Sequence, residues 1–301
     1  MPAGADGETS LGRLRPEEPA AFEIFELEIL GGATERHYRA RHPHVEKMPW
    51  GSLDLARFGE DELLAARRGW TDLALQEYGA AASQANVVRL LVRARVPMDL
   101  SALVANFPLD ELVHTEVCAR MAEELGGVVP IEYPTERVFP SSSPSRGSPL
   151  AQAAQVVAWE FCVGETLSHG LLTFHHRHAT VPLLEAAWGR LGKDEALHAR
   201  FGWLFMQWAL PRLTPAELRH VRHVAERAVE HVKELDEKVG AQPPEAFVDV
   251  GVFGSRGKDA YLLESRRILR DRVVRRLRAA RSRPRPTPSR RACSMLDDTG
   301  T

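Results

Sequence analysis

From residue 60 onward the apolar positions recur at steps of three and four. In "GEDELLAARRGWTDLALQEYGAAASQANVVRLLVRARV", Leu63, Ala66, Trp70, Leu73, Glu77, Ala81, Gln84, Val88 and Leu91 fall on one stripe, which predicts a long amphipathic helix stopped at Pro97. A second helix is predicted from about Pro108 to Leu125, where Gly126-Gly127 supply the left-handed residue on which helices commonly end. The segment "VVPIEYPTERVFPSSSPSRGSP" then breaks the period. It is too rich in Pro and Ser to hold a helix, and long enough to carry the chain from one end of a bundle to the other. A third helix, about Leu150 to Arg177, and a fourth, about Pro182 to Leu210, are joined by the short turn "HATVP". Two helical hairpins separated by one long crossover are the plan of a four-helix bundle.

After Pro211, an N-cap threonine, a proline at the first helical position and Glu217 at the third predict a fifth helix, and a sixth is predicted over about 258–281. The last residues, "RSRPRPTPSRRACSMLDDTGT", have too little apolar content to fold. Before residue 60 the one apolar run, "FEIFELEIL", reads equally as a strand or a helical turn. The expected organisation is an N-terminal extension (1–60), a four-helix bundle (61–210), additional C-terminal helices (211–281) and a disordered tail (282–301).

Composition agrees with an all-α fold, since 44% hydrophobic and 27% charged residues with long Ala, Leu, Glu and Arg stretches are what helical globular chains carry. No stretch is apolar enough to cross a membrane, and the N-terminus lacks the basic and apolar regions of a secretory signal, so a cytoplasmic location is expected. Cys118, Cys162 and Cys293 are too scattered for a disulfide framework and are expected to be free thiols. A net charge of -2 excludes a globally basic nucleic-acid binder. The arginines after about residue 256 alternate with Ile268, Leu269, Val273, Val274 and Leu277, the pattern of an amphipathic helix with a solvated basic face; without aromatic interleaving, nucleic-acid contact is not expected.

The chemistry lies in Glu-x-x-His. Composition predicts roughly one such match by chance, and three occur: Glu111/His114, Glu195/His198 and Glu217/His220. The last sits in a first helical turn and is explained by capping. The other two lie on apolar stripes, with Cys118, Met121 and Leu125 following the first, and Leu184, Trp188 and Leu191 preceding the second. A glutamate and a histidine on a core-facing stripe need a cation, a counter-charge or a dense hydrogen-bond network, because burying a lone carboxylate is costly. If a metal answers that need, a dinuclear site requires one more inward glutamate from each remaining helix. Glu77 lies on the first stripe, and in "VVAWEFCVGETLSHGLL" Glu165 reaches the level of Glu195 across the hairpin better than Glu160 does.

The order Glu, Glu-x-x-His, crossover, Glu, Glu-x-x-His resembles the ferritin-like di-iron carboxylate superfamily, over about residues 60–210. The resemblance implies that Glu111 and Glu195 bridge two metals, that Glu77 and Glu165 bind terminally, and that His114 and His198 give one nitrogen to each ion. Two iron ions are implied, with manganese also suited to an oxygen and nitrogen donor set. The activity implied is dioxygen-dependent hydroxylation or N-oxygenation of a small organic substrate, with an external electron donor. A ferroxidase or iron-binding protein is the alternative, as is a metal-free helical interaction protein. A homodimer would accord with oxidation, and a large hollow assembly with storage.

Around this set, His169 lies one turn beyond Glu165 as an extra ligand or hydrogen-bond partner, and Asp110 and Asp194 are placed to bond histidines of neighbouring helices. Tyr78 points away from Glu77 and reads as packing, and His175, His176 and His178 read as a surface cap on a helix end. His37, His42 and His44 read as a solvated or lid-like surface.

Overall fold

The first three residues of the early apolar run form a short strand, and the rest of it is irregular. In the computed structural model, which describes residues 22–134, 147–241 and 257–281, β1 (Phe22–Ile24) pairs antiparallel with β2 (Glu132–Pro134) in the register Phe22↔Pro134, Glu23↔Tyr133, Ile24↔Glu132. The N-terminal segment is thereby tied to the start of the crossover. Two short helices follow, α1 (Gly32–Arg41) and α2 (Pro43–Glu46). They are fastened to the bundle by Arg39, which reaches Glu116 at 2.8 Å, and by Arg120, which reaches Glu46 at 2.9 Å and lies over the Trp50 ring. The proposed disordered tail, residues 282–301, lies outside the described residues.

The long stripe forms α3 (Glu60–Arg93), begun by the Glu62 carboxylate accepting from the Gly59 amide at 2.8 Å. It ends short of Pro97, because Arg95 turns left-handed at φ 52° and the chain re-enters a separate short helix, α4 (Met98–Val104), which the sequence pattern did not reveal. α5 (Phe107–Glu124) follows. Beyond the crossover, α6 (Pro149–Val157) is capped by Ser148 and continues through π-helical turns at Ala158–Glu165 into α7 (Thr166–His178), so the expected single third helix carries a wide stretch at its centre. α8 (Pro182–Ala209) completes the bundle. α9 (Pro215–Ala241) starts on the expected capping box, with Glu217 accepting from the Thr214 amide at 2.9 Å. α10 (Gly257–Ile268), a second π-helical stretch (Leu269–Val274) and α11 (Arg275–Arg281) make up the sixth helical segment.

The helix directions follow from which core each end enters. One apolar cluster contains Trp70 and Leu75 of α3, Cys118 and Met121 of α5, Leu172 of α7, and Leu184 and Trp188 of α8. The other contains Val87 and Leu91 of α3, Phe107 of α5, Val157 and Phe161, and Phe201 and Phe205 of α8. Thus α3 and α8 run one way, while α5 and α6–α7 run the other. The crossover must traverse the full bundle, since α5 ends in the first cluster and α6 begins in the second. No described helix is long and apolar enough to cross a membrane.

Close approach of α8 to the π-helical stretch depends on Gly202, where an added Cβ would stand 2.7 Å from the Phe161 Cβ and 2.9 Å from its carbonyl carbon. Overpacking of this kind costs ~1–3 kcal/mol, and the helix-propensity gain of Ala over Gly returns only about 1 kcal/mol. Gly202→Ala is therefore expected to lower the urea midpoint of unfolding, and an unchanged or raised midpoint would contradict the tight packing described.

Candidate metal centre

Between the two apolar clusters lies a single polar layer. α3 contributes Glu77 and Gln84, α5 contributes Glu111 and His114, the end of the π-helical stretch contributes Glu165, and α8 contributes Glu195 and His198. Glu111, Glu195 and both histidines are at most 1% exposed. Heptad spacing explains the placement: Trp70, Glu77 and Gln84 repeat every seven residues, as do Trp188 and Glu195, so residues that would be surface groups in another phase are carried to the axis.

Their ligand atoms form two groups, each lying within 4.8 Å: Glu77, Glu111, His114 and Glu195 in one, and Glu111, Glu165, Glu195 and His198 in the other. Glu111 and Glu195 belong to both. The imidazoles present Nδ1 to this space. His114 Nδ1 lies 3.3 Å from Glu111, 3.4 Å from Glu195 and 3.7 Å from Glu77. His198 Nδ1 lies 3.0 Å from Glu111 and 3.2 Å from Glu195, yet makes no well-directed hydrogen bond, and the same holds for Glu195 Oε2. Atoms so placed are close enough to share a cation and poorly aimed to satisfy one another.

The opposite ring nitrogens are held across the hairpins. His114 Nε2 donates to Asp194 at 3.2 Å, and His198 Nε2 donates to Asp110 at 3.4 Å, so each Glu-x-x-His helix is braced by the aspartate preceding the other's glutamate. A carboxylate on Nε2 fixes the tautomer that leaves Nδ1 free to bind. The two halves differ in one respect, for Arg190 ion-pairs Asp194 at 2.5 Å, whereas Asp110 is half-open to solvent.

Several neighbours fall elsewhere. His169 is half-buried and belongs to neither group. Glu160 also stands outside them and accepts a short hydrogen bond from Ser83. Tyr78 packs on Phe25 at 5.9 Å between ring centres. Cys118 and Cys162 are buried free thiols, and that burial pushes both thiols up. His175 corrects the surface reading of the histidine cluster: it is 3% exposed and packs on Trp188. His42 and His44 are half-buried beside Arg190. Sequence reasoning missed the role of Gln84, whose Nε2 donates to Glu111 at 2.5 Å and to Glu165 at 2.8 Å. Its signal was present, since a glutamine on an otherwise apolar stripe must find partners.

Compared with family models, curated proteins and solved structures, the chain has no match. The site is accordingly read from its own geometry and charge.

Burial pushes Glu77 up to about 8 and lifts Glu165 well above the carboxylate range, with the Glu195 charge adding to the second shift. Burial acts the same way on Glu111 and Glu195, but there the imidazoles of His114 and His198 close beside them, and Glu165 beside Glu195, prevail and hold both low. Burial opposes charge on the imidazoles, yet Asp194 and the glutamates raise His114 well above its ordinary value, and Asp110 and the glutamates push His198 up to about 12. Without metal, the layer at neutral pH therefore holds two carboxylic acids, two carboxylates and two imidazolium ions, with no net charge.

This arrangement sets the pH dependence of the metal-free protein. Glu77 and Glu165 keep their protons in the folded state while the unfolded chain loses them above about pH 4.5, so folding becomes less favourable as pH rises from there through about 8. His114 and His198 act in the same direction, because their stabilising charge persists when folded but is lost from the unfolded chain above about 6.5. Glu111 and Glu195 oppose this only at the acid end, where their contribution is lost below about 4.5. In chelator, the melting temperature is expected to fall between pH 5.5 and 8; circular dichroism melts that rise over this interval would refute the assignment.

Proposed function

We propose that this protein is a ferritin-like di-iron oxidoreductase, which activates dioxygen to hydroxylate or N-oxygenate a small organic substrate. The observation that carries the reading is the pair of overlapping ligand groups sharing Glu111 and Glu195. In that reading Glu111 and Glu195, common to both groups, would serve both ions, Glu77 and Glu165 would serve one each, and His114 and His198 would provide one Nδ1 to each ion. The opposed directions of the paired helices and the full-length crossover are in keeping with a ferritin-like bundle.

The donor set fits divalent iron or manganese. Four carboxylates and two neutral imidazoles balance two divalent charges, and an oxygen-rich set leaves coordination positions open. A bound iron pair supplies the electrons with which dioxygen is activated. Inserting one oxygen atom into a C–H or N–H bond while the other leaves as water consumes two electrons and two protons, so an external donor belongs to the scheme. The chain's own part is to hold Glu111 and Glu165 through Gln84 and both histidines through the crossed aspartates, and to exclude water with an apolar cluster on either side. The π-helical turns that deliver Glu165 support a functional rather than purely structural role, since such turns concentrate at functional sites. The N-terminal helices and α9–α11 add material around the bundle from which a substrate pocket can be built.

Two measurements test this. Protein loaded anaerobically with ferrous iron is expected to hold two ions per chain and to release about four protons, from Glu77, Glu165, His114 and His198, as ions displace them. Calorimetry in buffers of different ionisation enthalpy reads this number, and binding weakens as pH falls. Glu111→Ala or Glu195→Ala is expected to lose both ions, whereas Glu77→Ala or Glu165→Ala loses about one. Metal content well below one ion per chain, with Glu111→Ala raising stability, would leave only a helical scaffold. Consumption of dioxygen without uptake of oxygen into any organic substrate, in a large hollow assembly, would favour iron storage.

A further inference from the structure

We propose that Ser83, Gln84 and Glu160 form a corner that receives the ammonium group of an aliphatic primary amine, the class of substrate brought to the carboxylate–histidine layer. The inference deepens the reading above and rests on it for the reaction, though not for the binding. Its origin is the wide coil of the third helical segment. Residues five apart on an ordinary α-helix point about 140° away from each other, whereas in π-helical turns the hydrogen bond spans that same interval and stacks them one turn apart. Glu160 and Glu165 are five apart within Ala158–Glu165, and consecutive residues of α3 meet them: the Ser83 hydroxyl donates to Glu160 at 2.5 Å and the Gln84 amide to Glu165 at 2.8 Å. Glu165 belongs to the two ligand groups and Glu160 does not. The same turns thus deliver a second carboxyl group beside the layer, with no part in holding it.

What this corner lacks is donors. Gln84 commits both amide N–H groups, to Glu111 at 2.5 Å and to Glu165, and Ser83 commits its one O–H to Glu160. Acceptors are left over: Gln84 Oε1 and Glu160 Oε2 are buried without a hydrogen-bond partner, and the Ser83 oxygen keeps its lone pairs. Gln84 itself is only 1% exposed. Among the described residues no cation acts on Glu160; burial pushes it up to about 7, and the Ser83 hydroxyl alone opposes that shift. A carboxyl group buried in this way costs stability that a glutamine, equally able to accept from Ser83, would not. An ammonium group supplies three donors, a positive charge and no acceptor, which is what the corner is missing. An alcohol brings one donor and no charge, a carboxylate brings like charge, and a quaternary ammonium brings charge without N–H.

The corner also opens outward. Gly164 is exposed, and a Cβ there would meet no atom of another helix within 4 Å, the Trp159 carbonyl oxygen at 3.6 Å being its nearest neighbour. Around it Ser83, Glu160 and Glu165 are half-buried, whereas Glu77, Glu111, Glu195 and both histidines are buried. The gap exists because α3 packs along α6 but scarcely touches α7. Trp159, one π-helical turn before Gly164, is 38% exposed and offers a flat apolar surface to the hydrocarbon part of an amine. A molecule entering here meets Glu165 before any other member of the layer.

The test titrates full-length protein, loaded anaerobically with ferrous iron and assayed for iron content, with n-butylammonium at neutral pH, read by calorimetry. Butanol, butyrate, aniline and trimethylbutylammonium are titrated in parallel. The primary ammonium is expected to bind about tenfold or more tightly than any of the four, as hydrogen bonds to a charged group allow. Glu160→Gln should lose that preference while keeping iron content and melting temperature, and Ser83→Ala should weaken binding by less. Should Glu160→Gln fail to fold, the ligand series on the unaltered protein decides. Equal binding of the primary ammonium and any of the four, or a preference that survives Glu160→Gln, overturns the corner alone. A fall of iron content in Glu160→Gln overturns it too, by moving Glu160 into the metal set. Protein that holds no iron yet keeps the preference overturns the metal reading while the amine corner stands.

Discussion

Burying four carboxyl groups and two imidazoles in one layer constrains everything else in this protein. Isolated, each charge would cost several kcal/mol to remove from water. The layer is tolerable because the groups are shared among four helical segments and compensate one another through proton uptake, two glutamates losing their negative charge while two histidines gain a positive one. Such compensation demands that the helices keep register with one another to within a hydrogen bond. The apolar clusters above and below provide that register, with the stacked Trp70 and Trp188 on one side and Phe107, Phe161 and Phe201 on the other.

The bracing around the layer is nearly symmetric. Asp194 and Asp110 exchange roles across α5 and α8, and each acts on the histidine of the helix opposite. Gln84 and Arg190 break the symmetry, the amide tying Glu111 to Glu165 and the guanidinium neutralising Asp194 alone. Two ions held there would experience different surroundings: one beside a compensated aspartate, the other beside an aspartate in contact with water.

Much of this was legible before any coordinates. Heptad phase carried Glu77, Glu111, His114, Glu195 and His198 to one side of their helices, because a seven-residue interval is close to two turns and the apolar neighbours mark the core side. Glu165 was legible through hairpin level rather than phase, and phase alone would have been misleading, since the π-helical turns before it shift the angular sequence. Gln84 was visible on the stripe but its neutral side chain drew no attention. A histidine in a last helical turn usually serves the dipole, whereas His175 is buried by tertiary partners that no local pattern announces, Trp188 of α8 and Tyr261 of α10 among them. The short helix α4 escaped because the left-handed Arg95 that separates it from α3 has no glycine to announce it.

The wide turns at Ala158–Glu165 leave this segment out of step with an ordinary α-helix by about one residue. That surplus is taken up inside the wide turns: excising a single position there, such as the exposed Gly164, would let the segment relax to ordinary α-helical coiling while Leu172 and the rest of α7 kept close to their present direction relative to Val157. An excision in the regular coil of α5 has no such slack and would swing everything beyond it by about 100°. Length is thus more forgiving at this point than in the neighbouring helices, and a deletion here should disturb the local setting of Glu165 rather than the register of the bundle.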